Sequence, residues 1–282
     1  MYWLKQHRDL IIQLAIVGCL TALLYFSFFR DLIHSWMNDE DYSHGFLILP
    51  ISLYLVWRMR AKLLAEERQP HYGMGSLLLL AWGILYFIGD VGQIYTITAA
   101  SFMFFLFGLA IFLGGFSITR HLLFPIAFLV FMMPVPSEIY TRLTNPMMLT
   151  VTTISTFILQ MISVPVLQDG NLISLPNYSM RVIQACSGIR SLISVSALAL
   201  LIGYITFSSN MKRLTLLFFA IPVAFINNIV RVVVTALLAF HVSPVHAEGF
   251  SHSFAGFMTF ALSLVMISLG VVLLQWISPT PD

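Results

Sequence analysis

Long apolar runs separated by short polar stretches dominate the chain. Eight runs are long enough, or nearly so, to be membrane spans: 10–29, 44–58, 75–91, 95–115, 120–134, 187–207, 213–240 and 253–276. The second and fifth are the shortest. The first follows Lys5 and Arg8, as a signal peptide would, but about 20 apolar residues suffice to span and no small-residue cleavage site ends the run. It reads as an uncleaved first helix. Residues 138–164 break the pattern by mixing Thr, Ser, Gln and Asn with Met, Leu and Ile. That mixture suits a helix at the interface or lining the bundle, or a ninth span. Alternation then replaces long runs at Val164 to Leu167, Asn171 to Leu175 and Tyr178 to Ile183, with a hairpin signal at Asp169-Gly170. A small β-element is expected there. The fold class is therefore an all-α polytopic membrane protein of about eight transmembrane helices. It forms one integral membrane domain over 1–282, with an outer connection at 134–186 and the chemistry-bearing helices over 186–276.

Composition agrees, since 59% of the 282 residues are hydrophobic and 9% charged, against about 25% charged in soluble domains. A net charge of +2 gives no reason to expect nucleic acid. Charge does orient the chain. With the N-terminus inside, Lys5, Arg8, Arg58, Arg60, Lys62, Arg68, Arg120, Lys212 and Arg213 fall on the inner side. Arg30, Arg142, Arg181, Arg190 and Arg231 fall outside or at outer helix ends. The positive-inside rule thus favours eight spans with both termini inside. Asp31, Asp39, Glu40, Asp41, Asp90, Glu138, Asp169 and Glu248 also fall outside.

The stretch Arg181-Val-Ile-Gln-Ala-Cys-Ser-Gly-Ile-Arg190 is where polar, turn-rich sequence gives way to a long apolar helix. A thiol at such a helix N-terminus feels free N–H groups and the positive end of the dipole, which favour thiolate. Alternatively, Cys186 is an inert small hydrophobe. The other cysteine, Cys19, lies midway along the first run, and the difference in depth argues against a disulfide.

Depth brings other polar residues to the level of Cys186. At about 1.5 Å per residue, Cys186 lies about 32 Å from Phe207, Arg231 about 27 Å from Arg213, and His252 about 36 Å from Trp276. Three residues on three helices thus reach one boundary of a core about 30 Å thick. Arg231 interrupts an apolar helix, where insertion costs about 2.5–3.5 kcal/mol, so it should face a partner or a wet cavity. An ion pair with Glu248 or Asp169, or snorkelling to headgroups, would also satisfy it. Asn227 and Asn228, one turn away, either hold its guanidinium or join helices. Arg190, four residues after Cys186, either lowers the thiol pKa, binds a carboxylate, or pairs with an acidic loop residue. The run Asp39 to Gly45, with His44, is a solvated cap in which Ser43 caps the next helix, or an acidic receiver for a basic segment. His241, His246 and His252 lack metal-ligand spacing, so neither metal nor cofactor is expected.

Six motifs in order resemble those of the exosortases, multi-pass cysteine transpeptidases of Gram-negative bacteria. They are Asp41-Tyr-Ser-His-Gly-Phe-Leu-Ile-Leu-Pro50, Met133-Pro-Val-Pro136, Gly170-Asn-Leu-Ile-Ser-Leu-Pro176, Ala185-Cys-Ser-Gly-Ile-Arg190, Asn227 to Arg231, and Glu248-Gly-Phe-Ser-His-Ser-Phe-Ala-Gly256. The last departs from the usual pattern at Ser253, Ala255 and Phe257, which bears on substrate subtype. The resemblance implies a Cys186–His252–Arg231 site on the periplasmic side of the bacterial inner membrane. It also implies exported protein substrates ending in a Pro-Glu-Pro-type motif, a membrane helix and a basic tail. The cut protein would pass through a thioester to an acceptor: a lipid, a glycan or water. Acyl transfer needs a nucleophile, an acid–base group and an oxyanion stabiliser, and these three residues can fill those roles. Glu248 would orient His252 from four residues back. His252, at the entry to a span, is better fixed than His246 in a turn-prone loop. Two other classes remain open. Ala185-Cys-Ser-Gly188 imperfectly mimics the serine motif of rhomboid proteases, which would make Ser187 the nucleophile. A transporter or channel would instead carry its charges near the midplane.

Overall fold

The apolar runs become helices throughout the computed structural model, which describes residues 8–39, 42–176, 178–182, 189–243 and 255–278. Two compact units divide it, Met1–Pro136 and Ser137–Asp282.

The first unit begins with α1 (Arg8–Leu24) and α2 (Phe26–Asn38), which meet at a 76° bend. The expected straight span 10–29 is therefore broken. The cause is Tyr25, which leaves helical geometry (φ −96°, ψ 24°) and is fully buried. Its ring packs against Tyr86, Phe102 and Phe105 at centroid distances of 4.3, 5.2 and 5.3 Å. Beyond the bend, Phe28, Leu32 and Trp36 recur every four residues and form the buried face of α2. Next come α3 (Gly45–Arg58), the short α4 (Arg60–Ala65), α5 (Tyr72–Val91) and α6 (Tyr95–Phe128), which ends in a 3-10 turn at Leu129–Met132. His44, not Ser43, occupies the N-cap position of α3.

The expected spans 95–115 and 120–134 are joined in one helical stretch, Tyr95–Met132, of 38 residues. Straight, it would be about 57 Å long, nearly twice the hydrocarbon thickness. It is interrupted at Gly115, where φ is 78° and ψ −176°. A side chain there would be strained, and its Cβ would lie 2.0 Å from the Gln69 carbonyl oxygen. The loop before α5 staples this break. Gln69 N–H donates to Gly114 O, His71 N–H to Ile111 O, and Ser117 Oγ to Glu67 O. Before the break, α6 runs antiparallel to α5, with Gly75 against Phe112, Gly108 against Leu78 and Gly89 against Thr98. After it, Ser52 Oγ of α3 donates to Pro125 O at 2.8 Å.

The second unit holds α7 (Ser137–Met161), strands β1 (Leu167–Asp169), β2 (Leu172–Leu175) and β3 (Tyr178–Arg181), and helices α8 (Ile189–Thr206), α9 (Asn210–His241) and α10 (Ala255–Ile277). Residues 138–164 are thus mostly one helix. The strands form an antiparallel sheet in the order β1-β2-β3. Asp169 pairs with Leu172, so the expected hairpin turns on Gly170 and Asn171, with Gly170 at φ 57°. The sheet's inward face shares a core with α7 and the last turns of α9: Val151 and Leu159, Ile173, Leu175 and Met180, Val232, Ala236 and Ala239. A second core joins α8, α9 and α10 through Val195, Ala199, Leu216, Ala220, Val223 and Ile267.

Among the described residues, four helices are long and apolar enough to cross a membrane: Tyr72–Val91, Tyr95–Met132, Asn210–His241 and Phe257–Ile277. The bent α1–α2 pair would make five. The expected eight differs because two expected spans are merged and because α3 and Ser191–Thr206 are shorter apolar helices. At 14 residues α3 covers about 21 Å. The chain is a multi-pass, mainly helical membrane protein with one small sheet.

Candidate active site

Arg231 lies in α9, half-buried, beside Val232 (1% exposed) and one turn above Asn227 (0%). Two registers fix its level. Gly203 of α8 faces Arg213 and Leu216 of α9, and higher up Val195 and Ala199 share a core with Ala220 and Val223. These helices therefore run antiparallel, and Arg231 falls level with the N-terminal end of α8, just beyond Ile189. On the other flank, Gly270 of α10 meets Leu216 and Phe219, while Asn227 bonds further back along α10, at Thr259 and Ser263. That pair is antiparallel too, and one turn further on Arg231 is level with the first turn of α10.

Asn227 holds this register. Its Nδ2 donates to Thr259 O at 3.2 Å and to Ser263 Oγ, and Ser263 Oγ donates to Thr259 O at 2.8 Å. Because the Thr259 carbonyl only accepts, the Asn227 amide must present nitrogen to it. Of the two readings of Asn227, joining helices is the one seen. Asn228, 2% exposed, is buried beside it.

The sheet ends at the same place. Val182, fully buried, belongs to the core that contains Val232. Asn171 grips it from both sides: Val182 N–H donates to Asn171 O at 2.8 Å, and Asn171 Nδ2 donates to Val182 O at 3.0 Å. A turn residue of the first hairpin thus fixes the end of β3, four residues before Cys186 in the chain.

Of the residues expected in the site, Arg231, Asn227 and Asn228 sit together on α9. Arg190 lies in the first turn of α8. Cys186, Ser187, Glu248 and His252 lie outside the described residues. His44 belongs to the first unit, where its Nε2 is 3.0 Å from Phe131 O. Asn171, Thr259 and Ser263 escaped the sequence reading. The last two, four apart in an apolar helix, were a visible signal for a polar contact between helices. Asn171 had only its place after Gly170 to mark it.

A multi-pass helical membrane protein is thus defined. Its half-buried Arg231, on α9, stands level with the starts of two neighbouring helices and beside the end of a small sheet. The family model for the transmembrane exosortase matches residues 36–269, and the chain belongs to that family of membrane transpeptidases. No curated protein and no solved structure matched the chain.

Proposed function

We propose that the protein is a cysteine transpeptidase that cuts exported proteins beside a C-terminal sorting signal and transfers them to an acceptor. One observation carries this reading. Arg231 is level with the N-terminal ends of α8 and α10, the helices that Cys186 and His252 closely precede in the chain. In the reaction, the Cys186 thiolate adds to the scissile carbonyl, and Arg231 stabilises the resulting oxyanion. The C–N bond breaks, His252 protonates the leaving amine, and a thioester remains on Sγ. The acceptor's nucleophile then attacks the thioester, and Cys186 leaves as thiolate. Glu248 orients His252, and Arg190 favours the thiolate. The substrate carries a Pro-Glu-Pro-type motif, a membrane helix and a basic tail, and its helix packs in the bilayer. The enzyme sits in the bacterial inner membrane with this site on the periplasmic side, and the acceptor is a lipid or a glycan.

The test is processing of a tagged substrate by variants at matched expression. Cys186→Ala and His252→Ala should abolish it, Glu248→Ala should reduce it, and Ser187→Ala and His246→Ala should leave it near normal. Loss in Ser187→Ala with retention in Cys186→Ala would instead identify a serine protease. A membrane-impermeant maleimide on intact spheroplasts should label Cys186; labelling only after the inner membrane is opened would reverse the topology. Mass spectrometry of the product's new C-terminus identifies the bond cut and the acceptor.

A further inference from the structure

The sheet has two outer edges, and their backbone groups can be assigned. Asn171 engages both the N–H and the C=O of Val182, so Val182 turns its polar groups toward β2. In an antiparallel ladder this alternates, so Met180 and Tyr178 also face β2, while Arg181 and Ser179 direct N–H and C=O away from it. The register agrees, since Leu175 and Tyr178 close a two-residue turn. Side chains alternate likewise. Met180 is buried in the core, whereas Ser179 and Arg181 are exposed. Arg181 makes no ion pair among the described residues. On the opposite edge, β1, Leu167 and Asp169 face Ser174 and Leu172 of β2, so Gln168 directs its N–H and C=O outward.

We infer that the free edge of β3 is the substrate-recognition strand, and that Arg181 is a specificity-determining residue that pairs with the acidic residue of the sorting motif. The inference rests on the transpeptidase reading and adds how the motif is held. An extended segment adds to an edge through alternate residues only, which supply N–H and C=O to the strand beside them. Proline lacks the N–H and is tolerated in a strand only where that position faces away from the ladder. In a Pro-Glu-Pro segment both prolines share one parity and the glutamate has the other. The segment can therefore dock with both prolines outward and the glutamate's N–H and C=O on the strand. Directly opposite Arg181, the glutamate exchanges two backbone hydrogen bonds with it. Residues opposite each other in a ladder project their side chains to the same face, so the carboxylate meets the guanidinium. The β1 edge would instead set the neutral Gln168 opposite that carboxylate. Charge thus selects β3, which is also the strand that continues toward Cys186.

A charge exchange tests this. Arg181→Glu should lower kcat/KM for a Pro-Glu-Pro substrate about tenfold, the scale of one charge-assisted hydrogen bond. It should recover most of that on a Pro-Lys-Pro substrate, which wild type handles poorly. Equal losses on Glu, Gln and Lys motifs, or no loss, would overturn the role of Arg181. Docking is tested apart from catalysis, with a photoreactive benzoylphenylalanine at Ser179 in the Cys186→Ala background. A synthetic peptide carrying the motif and its membrane helix should crosslink through the motif, and less so when the glutamate is lysine. Crosslinking only through the peptide's helix would overturn edge docking. If instead Cys186→Ala processes substrate like wild type, the transpeptidase reading fails, and the crosslink still reports on the edge.

Discussion

In the Met1–Pro136 unit, Ser52 Oγ donates to Pro125 O, Thr119 Oγ1 to Gly115 O, and Trp36 Nε1 to Met132 O. In the Ser137–Asp282 unit, Asn227 ties α9 to α10, and Asn171 ties a strand end to its hairpin turn. The first set satisfies main-chain carbonyls along one broken helix, where no water would replace the lost partners. The second set also reaches main-chain carbonyls and, like Ser52 and Trp36, joins separate elements, but at the level of Arg231. Both units bury polar side chains in an apolar protein. In the first, the backbone created the demand for them. In the second, they fix where helix starts stand relative to one another. Substitutions in the first unit should therefore cost stability, and those around Arg231 should cost activity in a protein that still folds.

The largest effect should come from Arg231. On the proposed mechanism, Arg231→Ala lowers the rate of processing by about 10²- to 10³-fold, the cost of removing one oxyanion donor. Arg231→Lys should be nearly as damaging, because a single ammonium does not reproduce a planar two-pronged donor. Insertion and thermal stability in detergent should stay near wild type. A Lys variant that restored most processing would reduce Arg231 to a point charge.

Gly115→Ala is the converse. Positive φ and the nearby Gln69 carbonyl make any side chain costly, by about 2–3 kcal/mol. Detergent melting temperature should fall, while processing per folded molecule stays normal. A normal melting temperature with lost activity would break the division between the units.

Asn227→Ala sits on the boundary and should cost about 1–2 kcal/mol, the price of an unmade buried hydrogen bond. Its activity should fall further than its stability, because the α9–α10 register sets the level of Arg231. Ser263→Ala removes the partner without touching α9 and should reproduce the stability loss with a smaller loss of activity. Parallel losses in both variants would make Asn227 purely structural.

The particular residues explain what could be read in advance. The runs 75–91, 213–240 and 253–276 correspond closely to α5, α9 and α10 because polar residues bound each one. The second and third strands were legible through alternation and the Asp169-Gly170 turn, whereas the first runs over Leu167–Asp169 and not over the expected Val164 to Leu167. Arg231 stood out because an arginine in an apolar helix needs a partner, a wet cavity or the headgroups to satisfy it. The α1–α2 bend did not stand out, since Tyr25 lies inside an apolar run and rings distant in the chain, Tyr86, Phe102 and Phe105, pack against it. The break at Gly115 was read as the end of a span. Helix resumes after it because the loop around Gln69, about 45 residues earlier in the chain, satisfies the interrupted carbonyls. Asn171 and Ser263 act on backbone or side chains of other elements, and local sequence does not encode such partners.

The smallest effect is expected at the most conspicuous ion pair. Arg120 Nη2 lies 3.0 Å from Glu66 Oε1, and His121 Nε2 lies 3.4 Å from Glu66 Oε2. The geometry is good, yet the Arg120 side chain is 66% exposed and Glu66 27%. Water and salt screen such a pair, and ordering two long side chains offsets much of the attraction. Arg120→Ala should therefore change stability by less than about 0.5 kcal/mol, and raising the salt concentration should erase even that. Loop 66–71 remains attached to the α6 break through the backbone bonds of Gln69 and His71, which the substitution does not touch. A detergent melting series in low and high salt measures the difference. A loss as large as that of Gly115→Ala would mean that the ion pair, rather than the backbone bonds, holds the break, and the first unit's polar groups would then act through charge as well as through carbonyl satisfaction.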